Sequence, residues 1–236
     1  MAGHDMAGHT MAAGAERARR EIQKKLVVLF VWAAAFAFVE AAVVVYLRRI
    51  FYPGGFAFPL KPEMLESILG VEVAREAATM IMLAATAWLA DTRPWVRFGY
   101  FMAAFGIWDI FYYIWLWAVL GWPPSVFTLD VLFLIPIVWV GPVWSPVVVS
   151  AGLIGCGAAV AYRTGGGGVF RLGAGGWSAV VLSGLVIIAS YLWWGPAAMR
   201  WEMPGPYPWW VFWPGFALGL GAFFRAWRDA PPGDSG

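Results

Sequence analysis

Apolar residues along this chain neither alternate nor mark one face of a helix. They come in long runs separated by short clusters of Arg, Lys, Pro and Gly. A helix that crosses a bilayer needs roughly 20 mostly apolar residues. Six segments meet that need, at 26–47, 75–90, 97–120, 128–162, 177–195 and 209–227. The second is short and the fourth is long. At about 1.5 Å per residue the fourth would overshoot a hydrocarbon core of about 30 Å. It also contains Pro136, Gly141, Pro142 and Pro146. Proline removes a backbone donor and clashes with the preceding turn. The pattern therefore predicts an outer helical half over 130–140, an interruption over 141–146 and a helix ending at Tyr162. The expected fold class is an all-α integral membrane protein, a six-span helical bundle with a broken, proline-interrupted fourth span. Residues 1–25 read as a disordered cytoplasmic tail, 26–228 as the spanning domain and 229–236 as a short cytoplasmic tail.

Composition strengthens the membrane reading. Hydrophobic residues make up 61% of the 236 and charged residues only 13%, half the usual share of about 25%. Lipid must be the solvent for most of the chain, because so few charges could not cover so much apolar surface in water. The 17 Trp suit an aromatic belt at the membrane interfaces. A net charge of +2 without a basic patch excludes nucleic acid as a partner. One cysteine, Cys156, excludes a disulfide framework within the chain. The N-terminal lead does not read as a cleavable signal, since the run that follows it is long enough to span.

Basic residues set the expected orientation. With the N-terminus inside, Arg17, Arg19, Arg20, Lys24, Lys25, Arg93, Arg97, Arg163, Arg171, Arg225 and Arg228 face the cytoplasm, against Arg48, Arg49, Lys61, Arg75 and Arg200 outside. That bias places both termini inside, in the cytoplasmic (plasma) membrane. The outer loops 50–70 and 195–208 are rich in Pro, Gly and aromatics and read as compact caps. Gly165 to Gly168 read as a flexible inner connector, and no Lys-Ser/Thr follows them to make a phosphate loop. Ala33, Ala37 and Ala41 on the first span, and Gly215 and Gly219 on the last, recur every fourth residue, the spacing that lets helices approach closely in lipid.

Ionisable groups inside the apolar runs are the informative chemistry. Glu40 lies in FAFVEAAVVV and Asp109 in FGIWDIFYY. A charge at the bilayer centre costs at least about 2.5–3.5 kcal/mol, so such groups turn inward and find partners. Glu76 opens the second run and Asp130 the fourth, and on the expected topology all four acids fall in the outer half of the membrane. Tyr112 and Tyr113 follow Asp109 by three and four residues and share its face, with Phe105 and Gly106 one turn earlier. Arg75 stands three residues from Glu72 and within reach of Glu40 or Asp109. One arginine against several buried acids leaves negative charge to be met by a proton or a bound cation. Such a carboxylate can equally serve only to fix helix register, and Asp130 beside Thr128 can serve only to cap a helix.

Histidine is absent from every run, which excludes most intramembrane haem, di-iron and zinc-hydrolase sites and any Ser-His or Cys-His pair. The repeat MAGHD-MAGHT holds both histidines. After removal of Met1, the amine, two backbone nitrogens and His4 would suit square-planar Cu(II) or Ni(II). A cytoplasmic placement and alternative starts at Met6 or Met11 count against that site.

No motif matches a transporter, channel, cyclase or redox-subunit pattern. The residues support an outward-facing acidic and aromatic cavity built from Glu40, Asp109, Tyr112, Tyr113, Arg75, Glu76 and Asp130. It would bind or move a cation, a proton or a small amphipathic ligand, with no resident cofactor. One alternative is an enzyme acting on a lipid or isoprenoid with Asp109 and Glu40 as acid and base. Another is a non-catalytic subunit of an oligomer or larger membrane complex.

Overall fold

The structure, a computed structural model, describes residues 2–229, without the side chains of 2–12, 15 and 64–66. The candidate metal ligand His4 is among the side chains outside the described residues. The element order is α1 (Ala2–Phe51), α2 (Pro62–Ala90), α3 (Pro94–Leu120), β1 (Leu129–Phe133), β2 (Trp139–Pro142), α4 (Trp144–Gly165), α5 (Ala174–Leu192), α6 (Gly195–Met199) and α7 (Trp209–Asp229). Local chemistry sets several boundaries. Pro62 and Pro94 open α2 and α3, where a missing N–H costs nothing. Gly121 closes α3 in the left-handed region, at φ 65°, and its N–H bonds Trp117 O.

Two expectations from the sequence are corrected. The described chain has four helices long and apolar enough to cross a membrane, not six: 16–51 within α1, α3, α4, and α5 continued through α6. α2 carries Glu72, Arg75 and Glu76 within its length. α7 is built largely of Trp, Phe and Gly around Pro214, with Arg225, Arg228 and Asp229 at its end. By length and composition the chain remains a multi-pass membrane protein. The fold is mostly helical rather than all-α, because 129–142 forms a hairpin where a helical half-span was expected. The strands pair antiparallel, with Asp130 opposite Gly141 and Val131 opposite Val140. Val, Phe and Trp suit a pleated surface, and Pro136 lies in the connection, where no ladder donor is needed. Asp130 therefore stands on a strand and caps no helix. β2 packs against α4, α5 and α6, so this non-helical backbone is covered by protein.

Helix α3 is the centre of the bundle, packed most extensively on α4 and then on α1, while α5 pairs with α7. Ala33, Ala37 and Ala41 are buried on α1, with exposures of 0%, 0% and 1%. α3 and α4 meet through glycine: a Cβ on Gly99 would sit 2.5 Å from Gly157 O and 2.9 Å from Ala161 N. Trp115 Nε1 donates to Ala34 O at 2.9 Å and ties α3 to α1.

One end of the bundle is held by Asp91, between α2 and α3. Its carboxylate accepts from Arg93 N at 3.0 Å, Arg93 Nε and Nη2 at 2.9 Å each, and Lys25 Nζ of α1 at 3.3 Å. Arg93 Nη1 also donates to Gly165 O at 2.9 Å. Gly165 is buried and faces Ile22, so the start of the glycine loop is packed against α1.

The Arg93 hydrogen bonds, helped by Lys25, hold the Asp91 carboxyl well below its ordinary value. A depressed folded value stabilises the fold fully above the unfolded pKa of about 3.9, and the gain is lost as pH falls from there through the folded value. Asp91→Asn should cost about 1–3 kcal/mol near neutral pH. In thermal unfolding the gap from wild type should narrow on acidification below about pH 4. Gly99→Val should cost about 1–3 kcal/mol or more by overpacking against backbone. Gly155→Ala, whose Cβ meets nothing within 4 Å, should unfold like wild type in the same assay.

Candidate functional site

Glu40, Val44, Leu47 and Arg48 recur along one side of α1 at intervals of three and four residues. α2 contributes Glu72, Arg75, Glu76 and Thr79 at similar spacing, and α3 contributes Trp108, Asp109, Tyr112 and Tyr113. These side chains line one cavity of about 100 Å³, which lies toward the ends where α1 and α3 finish. Tyr52 and Phe56, from the connection after α1, and 131–134 of the hairpin close it over. All seven residues singled out in the sequence line this cavity: Glu40, Arg75, Glu76, Asp109, Tyr112, Tyr113 and Asp130.

The charges form four separate groups, the last being Glu76 alone. In the first, Arg75 lies between two carboxylates. Its Nη1 pairs with Glu40 Oε2, and its Nη2 donates to Glu72 Oε2 at 2.8 Å. Thr79 Oγ1 donates to the other Glu40 oxygen at 2.8 Å. In the second, Arg48 Nη2 donates to Asp130 Oδ1 at 2.9 Å. That guanidinium lies over Trp122 at 3.6 Å and Phe56 at 4.5 Å from the ring centroids, contacts that favour a cation. The third is Asp109, which accepts from Ser150 Oγ of α4 at 2.8 Å and makes no bond to Arg75. Gly106, expected on the same stripe, faces α4 as Asp109 does and packs against the backbone at Ser150. Glu76 Oε2 accepts the Leu134 N–H at 2.9 Å, which moors the hairpin to α2.

Two features set the electrostatics of the cavity. Glu40, Glu72, Glu76, Asp109 and Asp130 face only two guanidinium groups, Arg48 and Arg75, in the cavity wall. Several wall atoms are also buried without a hydrogen bond, among them Asp130 Oδ2, Arg48 Nη1 and Trp108 Nε1. Asp130 is 1% exposed, so solvent outside the fold does not satisfy it. A polar group left unpaired in such a place costs about 1–3 kcal/mol, which water or a ligand inside the cavity would relieve. Among the described residues no three His, Cys, Asp or Glu side chains converge closely enough to hold a metal ion.

The residues expected to build the cavity did not include Arg48, Thr79, Trp108 and Ser150, and Glu72 was placed only beside Arg75, where it lies. Arg48 follows Glu40 by two turns, and Thr79 follows Glu72 by two, so helical spacing could have placed both. Ser150 had no such signal, because only the packing of α4 on α3 brings it to Asp109.

Breaking the Arg48–Asp130 pair from one side should be severe, because it strands a buried charge. Arg48→Met is expected to lose about 3–5 kcal/mol in denaturant unfolding, and adding Asp130→Leu should restore most of that loss. Equal stability of the single and double variants would contradict the pairing. No known protein family, no characterised protein and no solved structure matches this chain.

Proposed function

We propose that this multi-pass membrane protein uses the cavity to bind a small cation or to take up and release protons. The observation that carries the reading is the surplus of carboxylates. Five acids against two arginines leave three negative charges uncompensated if all ionise. In a low-dielectric setting that surplus requires protons or a positively charged occupant. The volume of about 100 Å³ favours a small occupant, since sites for drug-sized ligands run to about 300–1,000 Å³. It also weighs against an isoprenoid chain. The separate partners of Glu40, Asp130 and Asp109 favour protons or an organic ammonium over a bare divalent metal, which would need several ligands on one point. The aromatic wall of Trp108, Tyr112 and Tyr113 is suited to an ammonium group.

Glu40 and Asp109 are the residues on which this function would depend. Glu40 anchors the Arg75 group, and Asp109, which like Glu76 has no arginine partner, is held by a serine hydroxyl alone. The test uses lipid nanodiscs and infrared difference spectra of carboxyl groups, across about pH 5 to 9, with and without sodium or choline chloride. Wild type should show a titrating protonated-carboxyl band that one of the two cations displaces. Glu40→Gln with Asp109→Asn should lose most of that band while remaining folded. A wild-type spectrum with no titrating band and no response to either cation would refute the proposal.

A further inference from the structure

A second cavity, of about 240 Å³, opens among α3, α4, α5 and α7. Its wall is almost wholly apolar and includes Phe98, Met102, Leu153, Phe170, Phe216 and Leu220. Ser183 supplies the wall's hydroxyl, and that group donates to Gly215 O at 2.7 Å. No buried unpaired polar atom among the described residues belongs to this wall. Water needs two to four polar partners to occupy a void, so this one is dry, and such voids take apolar molecules. Most wall residues are half-buried, so the crevice is reached from the surface of the bundle. For helices long and apolar enough to span a bilayer, that surface meets hydrocarbon chains. At Gly184, in the wall, an added Cβ would meet nothing within 4 Å.

The crevice also has a cation beside it. Phe170 and Leu172 belong to the wall and flank Arg171, which is exposed and forms no ion pair among the described residues. Neighbouring basic side chains are engaged: Arg93 with Asp91, and Arg97 over the Trp88 ring. We infer that the crevice binds one acyl chain of an anionic phospholipid, with the headgroup phosphate against Arg171. The inference rests on the membrane-spanning helices and is independent of the acidic cavity.

Native mass spectrometry of the full chain, released from micelles containing equal phosphatidylglycerol and phosphatidylcholine, tests it. Wild type should retain one phosphatidylglycerol in preference to phosphatidylcholine by about fivefold, the effect of one arginine near a headgroup. Gly184→Leu, which fills the crevice, should lose the bound lipid. Arg171→Gln should keep a bound lipid but lose the preference. Cys156, the sole cysteine, lies in the same wall and supplies a readout that needs no variant. Phosphatidylglycerol should slow its reaction with an apolar maleimide in wild type more than phosphatidylcholine does. Equal retention of the two lipids, retention unchanged in Gly184→Leu, or a Cys156 reaction indifferent to lipid would each overturn the assignment.

Discussion

A carboxylate carried into a low-dielectric interior must be paired, hydrogen-bonded or neutralised, and much of the cavity half of this fold follows from that requirement. Glu40 is held because α2 brings Arg75 and Thr79 to it, and Arg75 is in turn shared with Glu72. Asp130 is held because α1 brings Arg48, and Asp109 because α4 brings Ser150. Apart from Arg75–Glu72 within α2, each pairing joins two different elements, so the charges fix the register of α1, α2, α3, α4 and the hairpin around one space. Breaking a buried pair from one side leaves a charge with nowhere to go, whereas apolar residues in both places would leave no such debt. The polar groups therefore specify the arrangement more than they strengthen it.

The opposite end of the bundle uses different means. There Asp91 collects Lys25 and Arg93, and glycine lets α4 lie directly on α3. The two ends share α1, α3 and α4 but hardly any polar contacts, because the middle of the bundle is packed by Ala, Leu, Val, Ile and aromatic side chains. A membrane interior offers little hydrophobic drive between helices, so close contact between small residues carries much of that packing.

Much of the candidate site was legible because its residues violate local pattern: Glu40 and Asp109 interrupt apolar runs, and helical spacing attaches Tyr112 and Tyr113 to Asp109. The hairpin was not legible in the same way. A short apolar stretch such as LDVLFLIPIVWV fits a buried strand as well as a buried helix, and periodicity cannot separate them. The number of spans was overcounted as well. The apolar stretch of α2 is broken by Glu72, Arg75 and Glu76, and that of α7 holds Pro214 and ends in Arg225, Arg228 and Asp229. Ser150 reaches Asp109 only through the packing of α4 on α3, which no local pattern encodes.

Helix α1 carries Ile22 against the glycine loop near one end and Glu40 and Arg48 in the cavity wall near the other, without an interruption between them. The distance from Ile22 to Arg48 is about 39 Å at 1.5 Å per residue. Turning it would swing Glu40 and Arg48 away from Arg75 and Asp130 together, and would lift Ile22 off Gly165 in the same motion. One uninterrupted helix thus ties the glycine loop and the cavity wall to a single rigid part.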